Sequence, residues 1–510
     1  MNNTKDQLRI GAILSYVNLA LSSLIPFFYT PIMLRMLGQS EYGLYSLSMT
    51  VISYLSLLTF GFGGTIVRYI TMYRASGEKK KEEEIIGFFL VVYCCIAIAI
   101  MILGNILSNN VGIIFSQGLT VAEQNKMKIL MPILTFNSAL SLPVSVFVSI
   151  TMAHERYLFR RLVDIFMTVG IPIMNLIALY MGYASIGLAL SSTVVQILML
   201  PINAGYCLKN LNIRIRFSKL PRALIDEILR FSLFIFIGTI VDMLFWATDK
   251  VILGMFTSTV VIAVYNIGST FNSMITSMSA SLSSILTPRV TTMVIQGATK
   301  EQLTDVFIKV GRIQYYIVIL AVSGFAVFGR QFINLWTGPA YKDAYCIALV
   351  TLLPLCIPLI QNTGLSILMA QNKHQFRSIC YLVIAIVNVI STYLVVPQYG
   401  GIGAAVCSGI SYLVGQGIIM NIYYYKVINI DIIAFWKSIL HISIVPAFMA
   451  LLALMALKFV SIKTWFVFFV CVIVYSIIYV VLIYRCSMNN YEKEMVNSLI
   501  SKVRVRKKYK

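Results

Sequence analysis

The sequence has few charged residues, since Asp, Glu, Lys and Arg make up only 12% of its 510 residues. Soluble globular domains have about twice that share. Hydrophobic residues make up 59% of the chain, and the mean hydropathy is +0.85. Together these values exclude soluble enzymes, disordered proteins and small disulfide scaffolds. The composition predicts a membrane protein that crosses the bilayer many times.

Metal-ligating and disulfide patterns are also absent from the sequence. Its nine cysteines include no C-x-x-C pair, and nearly all of them fall in apolar runs. The three histidines, His154, His374 and His441, are far apart in the chain. The sequence therefore predicts no metal site, no cofactor and no disulfide framework.

Long apolar runs dominate the chain. A helix needs about 20 apolar residues to cross a hydrocarbon core about 30 Å thick. Transmembrane strands would alternate polar and apolar residues over about ten positions, and no such alternation occurs here. We therefore predict an all-α polytopic membrane protein with about 14 transmembrane helices, at 12–34, 42–63, 85–107, 127–152, 163–182, 184–206, 231–255, 260–286, 313–335, 344–369, 378–397, 401–422, 437–458 and 463–485.

Basic residues outnumber acidic ones, 40 to 19. With a cytoplasmic N-terminus, 32 of the basic residues fall on the cytoplasmic side of these spans and 7 on the opposite side. This asymmetry is typical of cytoplasmic loops, so it predicts that both termini are cytoplasmic. We interpret the net charge of +21 and the basic tail at 486–510 as orientation signals that also attract anionic membrane lipids, and we predict no nucleic-acid partner.

Two separate matches of the chain with itself indicate an internal repeat. The segment MAHERYLFRRL at 152–162 aligns with MAQNKHQFRSI at 369–379, an offset of 217 residues. The segment at 184–192 aligns with that at 400–408, an offset of 216. A repeat of six helices preserves orientation in the membrane, so the two copies should be related by a pseudo-twofold axis along the membrane normal.

The repeat predicts a division of the chain into domains. The first six-helix bundle is 1–210, a cytoplasmic interfacial linker helix is 211–230, and the second six-helix bundle is 231–425. Two additional transmembrane helices follow at 437–485, and a basic cytoplasmic tail at 486–510. Transporters of this kind bind their substrate between the halves and alternate its access to the two sides.

Ionisable residues within the predicted seventh span are the first functional candidates. Asp242 and Asp249 are seven residues apart with Trp246 between them, which predicts a shared helical face. Charges in membrane spans are costly, and they often mark ion or substrate pathways. We predict that these acids and Lys250 form an ion-coupling site, or a gate with Arg35 at the outer end of the first span. A structural ion pair or interfacial snorkelling is the alternative.

Two arginines near the inner ends of equivalent spans are the second set of candidates. Arg68 follows the glycine-rich run at 61–64, and Arg289 follows Pro288. Guanidinium groups bind phosphate oxygens bidentately and stay charged, so this pair would suit a substrate with phosphate groups. Ordinary anchoring by positive residues on the cytoplasmic side remains an alternative. The glycines themselves favour close helix approach or local unwinding.

Three motifs resemble those of a known family. They are LGQSEYGLY at 37–45, FGFGGTIVRY at 60–69, and ATDKVILG at 247–254 followed by VYNI at 264–267. In order and spacing they resemble the bacterial polysaccharide-repeat-unit (Wzx-type) flippases of the multidrug/oligosaccharidyl-lipid/polysaccharide (MOP) exporter superfamily, whose fold is MATE-like. One departure is Lys250, which stands where many relatives have Arg.

The resemblance implies two six-helix bundles around a cationic cavity in the bacterial cytoplasmic membrane. It also implies a substrate, undecaprenyl-diphosphate-linked oligosaccharide, that moves from the inner to the outer leaflet for cell-surface polysaccharide biosynthesis. Relatives that flip the peptidoglycan lipid precursor also have two extra C-terminal helices, similar to the predicted spans at 437–458 and 463–485. A polysaccharide polymerase and glycosyltransferases are the implied partners.

Two other functions remain open at this point. A cation-coupled exporter of small amphipathic compounds would have the same two-bundle plan but a cavity dominated by carboxylates. A membrane glycan polymerase or ligase would need a sizeable outer loop with catalytic groups, whereas the longest outer loop, 108–126, has only Glu123 as an acid. We therefore predict a transporter and no enzymatic activity.

Overall fold

A computed structural model describes residues 4–218, 221–371, 373 and 375–498, and all regular secondary structure in this part of the chain is helical. The predictions for Lys219, His374 and the tail beyond residue 498 fall outside the described residues. By contact clustering the chain divides into two compact units. Unit 1 comprises residues 1–266 and 392–401, and unit 2 comprises 267–391 and 402–510. These boundaries differ from the domains predicted from the repeat, which remain a prediction.

The described residues of the first half form ten α-helices, most of which overlap the predicted spans. They are α1 (Thr4–Leu37), α2 (Gln39–Ser53), α3 (Phe62–Ala75), α4 (Lys79–Asn109), α5 (Val111–Ile114), α6 (Val121–Ala153), α7 (Tyr157–Tyr180), α8 (Ala184–Gly205), α9 (Arg222–Trp246) and α10 (Thr248–Phe256). In unit 1, α6 packs against α4 and α8, and α1 packs against α7.

The remaining helices are α11 (Thr259–Ile295), α12 (Lys300–Trp336), α13 (Ala344–Ile360), α14 (Asn362–Ala370), α15 (Gln375–Tyr412), α16 (Met420–Tyr423), α17 (Ile432–Ala456) and α18 (Trp465–Leu482). In unit 2, the long α12 packs against α13, α17 and α18. A capping box fixes the start of α12, because Thr299 and Gln302 satisfy each other's backbone N–H groups.

Several helices are interrupted where residues adopt left-handed backbone conformations. The second predicted span consists of α2, a 3₁₀ turn (Tyr54–Thr59) and α3, and it breaks at Phe60 and Gly61, whose φ angles are 48° and 69°. Within α15, Gly400 has a φ of 55° and divides two helical stretches. Glycine tolerates this region without steric cost, so the glycine-rich run after residue 60 does unwind a helix, as the sequence suggested.

The described residues contain 11 helices long and apolar enough to cross a membrane, or 12 if the bent pair α13 and α14 forms one span. Two of the predicted spans are not counted separately among these helices. One corresponds to α11, in which 13 Ser, Thr and Asn residues between 259 and 287 reduce the apolar character. The other lies in the 54-residue stretch Gln375–Ile428, which is about 80 Å long and far exceeds one bilayer. The count of about 14 therefore remains a prediction.

The predicted interfacial helix at 211–230 overlaps the start of a longer helix, and its role as a linker stays a prediction. Residues 222–230 form the first turns of α9, which continues without a break to Trp246. Pro221 precedes the helix, where a missing N–H costs nothing. The amphipathic pattern of this stretch therefore belongs to the end of a membrane helix, which extends beyond the apolar run.

A close backbone contact in unit 1 gives a stability prediction. A Cβ atom at Gly43 in α2 would lie 1.8 Å from the carbonyl oxygen of Thr259. Because that neighbour is backbone, it cannot rotate away, and we expect Gly43→Ala to destabilise the protein by about 3 kcal/mol or more. Gly63→Ala is the matched control, because a Cβ there would meet nothing within 4 Å. Thermal unfolding in detergent should show a large loss for the first variant alone.

Candidate functional site

Arg68 lies on α3, two turns beyond the helix break. Its side chain is exposed, and its guanidinium carbon lies 4.2 Å from the ring centroid of Phe231. The arginine forms no ion pair with any described residue. An aromatic ring can orient a guanidinium group without neutralising it, so Arg68 keeps its charge and hydrogen-bond donors available for a ligand.

The break in the second span packs directly on α9. A Cβ at Gly61 would lie 2.6 Å from Cγ2 of Ile235, and the ring of Phe60 lies 4.8 Å from that of Phe236. One turn further along α3, the hydroxyls of Thr65 and Ser232 are 2.8 Å apart. Small and polar residues thus bring the two helices close together and fix the position of the segment that bears Arg68.

The two acidic candidates of the seventh span lie in successive helices and differ in burial. The helix that contains Asp242 ends at Trp246, and α10 begins at Thr248. Asp242 is exposed, whereas Asp249 is 3% exposed. A common face for the two carboxylates stays a prediction.

Asp249 is the centre of a buried polar cluster. Tyr265 donates a hydrogen bond to one carboxylate oxygen of Asp249, and the hydroxyl of Thr392 lies 3.5 Å from the other. Tyr265 is 5% exposed and Thr392 is fully buried. A carboxylate in such surroundings is stabilised by its donors, and removal of either donor would expose the cost of burying the charge.

Lys250 joins the same region to the start of the second span. Its ammonium group donates to the side-chain oxygen of Asn266, and the amide nitrogen of Asn266 donates to the hydroxyl of Tyr42. The hydroxyls of Tyr54 and Thr248 are 2.6 Å apart. The broken second span and the start of α10 are thus connected through polar side chains, and Lys250 has a partner other than Arg35.

Sequence reasoning missed several members of this polar region. Glu41 forms an ion pair with Lys126 and accepts a hydrogen bond of 2.6 Å from Ser185. Glu123 forms the capping box of α6 with Thr120 and accepts hydrogen bonds from Ser40 and Thr259. Its carboxylate is therefore occupied by structural contacts. The motifs at 37–45 and 264–267 marked the right segments, but nothing in them indicated these pairings.

The remaining candidates are Arg35 and Arg289. Arg35 lies in the last turn of α1 and is exposed. Arg289 lies in α11, directly after Pro288, and is also exposed. Within the described part of the chain neither forms an ion pair with an acid. Arg289 belongs to unit 2 and the other candidates belong to unit 1.

A family model described as "Polysaccharide biosynthesis protein" matches residues 9–294, more than half of the chain. The chain belongs to this family. The match includes the arginines and the acidic candidates of the site, together with all three motifs that carried the sequence resemblance. No curated protein matches the sequence.

Solved structures show which fold this member of the polysaccharide biosynthesis family adopts. The structure titled lipid II flippase MurJ, inward closed conformation, has a TM-score of 0.73 at 15% identity, and the match covers 93% of this chain and 99% of that one. An inward-facing MATE multidrug transporter of the MOP superfamily has a TM-score of 0.64 at 13% identity, with coverage of 79% and 96%.

A third structure comes from Pyrococcus furiosus, and its title describes a MOP superfamily transporter with reversed polarity of the binding pocket. It has a TM-score of 0.55 at 14% identity, with coverage of 83% of this chain and 96% of that one. These similarities establish the fold of the family member as MurJ- and MATE-like. The predicted all-α, MATE-like membrane fold is therefore confirmed, and the family model confirms the predicted link to polysaccharide biosynthesis.

Proposed function

We propose that the protein flips undecaprenyl-diphosphate-linked oligosaccharide repeat units from the inner to the outer leaflet of the bacterial cytoplasmic membrane. The exposed guanidinium of Arg68, held on Phe231 with no acidic partner among the described residues, is the observation that supports a diphosphate ligand most directly. Membership of the polysaccharide biosynthesis family supports the substrate class. In this proposal Arg68 and Arg289 bind the diphosphate, both termini are cytoplasmic, and Arg35 lies near the outer exit.

An apolar cavity in unit 2 is evidence for a substrate with a lipid chain. Helices α17 and α18 line a cavity of about 390 Å³ together with Phe328 of α12, and its walls are almost wholly apolar. Met449 and Tyr475 contribute to its surface. An apolar cavity of this kind suits a prenyl chain, because burial of apolar surface stabilises the bound chain. In this proposal the glycosyltransferases assemble the headgroup before the transfer, and the polymerase acts on it afterwards.

The driving force is assigned to charge movement. With the cell interior negative, outward movement of the anionic headgroup gains about 2.3 kcal/mol per charge per 100 mV. We propose that the carboxylate of Asp249, with Lys250 beside it, couples conformational change to a counter-moving cation, and that Asp242 contributes an exposed second charge. In this proposal the hydroxyls of Tyr265 and Thr392 occupy the carboxylate oxygens of Asp249 until a cation replaces them.

The effect of Asp249→Asn separates coupling from folding. The amide oxygen can still accept the bond from Tyr265, but the charge is lost, so we expect transport to fall about tenfold or more and to lose its dependence on the ion gradient. Asp226→Asn is the matched control, since it removes an exposed carboxylate from α9 and leaves the cluster around Asp249 intact. Transport that responds to the gradient equally in wild type and Asp249→Asn would exclude this role.

A cation-coupled exporter of small amphipathic compounds is the second candidate function. The buried carboxylate of Asp249 favours it, because such exporters need an acid that exchanges a cation. The two functions differ in what accumulates when the protein is lost. Loss of an exporter would leave the lipid-linked saccharide unaffected and would lower the cell's resistance to toxic amphipathic compounds.

The experiment for the proposed function is depletion of the protein in its native cell. Lipid-linked saccharide would be sorted by leaflet with a membrane-impermeant label or a glycosidase added from outside. We expect the labelled, outward-facing fraction to fall while the total pool rises. An unchanged outward-facing fraction, in a strain without a second transporter of this family, would contradict the flippase and favour the exporter.

A further inference from the structure

A polar cavity lies at the end of unit 1 where α4 begins, outside the region that contains the transport candidates. Its volume is about 540 Å³. We call it the basic pocket, and it is lined by Lys79, Lys80, Glu83, Leu208, Asn212, Ile213, Arg214 and Arg216. Four of these eight residues are basic and one is acidic, so the pocket has a strong positive excess.

The single acid in the basic pocket is already neutralised. Glu83 is 4% exposed, and one of its carboxylate oxygens lies 2.7 Å from Nε of Arg216. Lys79, Lys80 and Arg214 form no ion pair with any residue that the structure describes. Three cationic side chains therefore surround the cavity without a matching negative charge, which makes an anion the complementary ligand.

The wall of the pocket is held in a defined position. The backbone N–H of Arg216 donates to the carbonyl of Glu83 at 3.3 Å, in addition to the side-chain pair. A Cβ at Gly87 would lie 2.1 Å from the carbonyl oxygen of Arg216, so the segment after α8 packs directly on the backbone of α4. The backbone N–H of Ile213 also donates to the carbonyl of Cys207 at 3.3 Å, so the backbone is held in place on both sides of Arg214.

The depth of the basic pocket indicates the source of the anion. The apolar run of α4 begins at Ile85, six residues after Lys79, a distance of about 9 Å along the helix. Lipid headgroups occupy this depth next to the hydrocarbon core. Basic pockets between membrane helices on the cytoplasmic side are suited to anionic headgroups.

We propose that the basic pocket binds the phosphate group of an anionic phospholipid of the cytoplasmic leaflet, through Lys79, Lys80 and Arg214. The site is separate from the transported substrate, and it tethers the start of α4 and the segment after α8 to the membrane surface. Because none of the transport candidates lines it, this inference stands independently of the proposed flippase activity.

The test uses the purified full chain and compares phosphatidylglycerol, phosphatidylcholine and inorganic phosphate. Native mass spectrometry counts the lipids retained, and thermal unfolding reports stabilisation by each compound. We expect phosphatidylglycerol to be retained in preference to phosphatidylcholine. We expect the triple variant Lys79→Gln, Lys80→Gln, Arg214→Gln to weaken phosphatidylglycerol binding about tenfold or more.

The matched control is the triple variant Lys300→Gln, Lys426→Gln, Lys437→Gln, which removes the same charge from exposed lysines of unit 2. We expect it to retain phosphatidylglycerol like the wild type. A further variant, Leu208→Trp, narrows the pocket and leaves every charge in place, and it should weaken retention of phosphatidylglycerol. Equal losses in both triple variants, no preference between the two lipids, or equal stabilisation by inorganic phosphate would each overturn the proposal.

Discussion

Replacing Arg68 and Arg289 with alanine is expected to lower the outward-facing fraction of lipid-linked saccharide to the level seen without the protein. A hydrogen bond to a charged group contributes about 1.5–3 kcal/mol, and about 1.4 kcal/mol corresponds to tenfold. Each arginine alone should therefore reduce transport about 10- to 100-fold. The reason lies in Arg68 itself, whose charge is exposed on the ring of Phe231 and is not balanced by a described acid.

Arg377→Ala is the matched control for this experiment. Its guanidinium carbon lies 4.3 Å from the ring centroid of Tyr381, so it also removes an arginine that stacks on an aromatic ring. Arg160 would be a less suitable control, because it is paired with Asp164 at 2.6 Å. Transport in the double variant that equals wild type, with normal amounts of protein in the membrane, would remove the arginines from the mechanism.

Disruption of the Arg312–Glu492 ion pair in unit 2 is expected to cause a large loss of stability. Arg312 on α12 is 8% exposed, and Glu492, in the segment that follows α18, is 3% exposed. Their side chains form two hydrogen bonds of 2.6 and 2.9 Å, and Arg312 also donates to the carbonyl of Ser487. Arg312→Leu would leave a buried carboxylate without its partner, at a cost of about 3–5 kcal/mol.

The pair Lys309–Asp305 lies one turn earlier on α12 and is the control for this prediction, with Asp305 exposed and Lys309 half-buried. Because water reaches both charges, Lys309→Leu should change the free energy of unfolding by less than about 1 kcal/mol. Equal effects of Arg312→Leu and Lys309→Leu in denaturant titrations would mean that the buried pair does not attach the C-terminal segment to α12.

The same pair predicts a dependence of stability on pH. Burial raises the pKa of Glu492, but the bonds from Arg312, the Asn489 backbone and Tyr316 outweigh burial and lower the pKa below its ordinary value. A depressed pKa stabilises the folded state above the unfolded value of about 4.3, and this stabilisation is lost as the pH falls through the lower folded-state pKa. Thermal unfolding between pH 6 and pH 3 should show this loss in the wild type and a weaker one in Glu492→Gln.

The membrane helices were predictable because long apolar runs have few alternative structures. The ends of α4, α6 and α17 lie close to the ends of the predicted spans at 85–107, 127–152 and 437–458. Each of these helices starts before its predicted span, and α4 and α6 have polar residues in their first turns. The division of the seventh span at Ala247 was not predictable, since neither glycine nor proline marks it. The predicted shared face of Asp242 and Asp249 assumed one continuous helix, whereas the structure places the two residues in successive helices.

The polar contacts of the site were beyond the sequence for a different reason. Asn266 and Tyr42 are 224 residues apart, and Arg312 and Glu492 are 180 apart. Each residue taken alone is an ordinary polar or charged residue near a predicted span. Only the packing of the helices brings the partners together, whereas the arginine at 68 could be chosen from its place after a glycine-rich run.

The measurement that tests the flippase most directly is transport by the purified protein in proteoliposomes. The vesicles would contain a prenyl-diphosphate oligosaccharide, and a glycosidase added outside would report the fraction that reaches the outer leaflet. We predict that wild-type protein exposes the inner pool to the enzyme far faster than the Arg68→Ala, Arg289→Ala variant or empty vesicles do. The same slow exposure in all three samples would contradict the account.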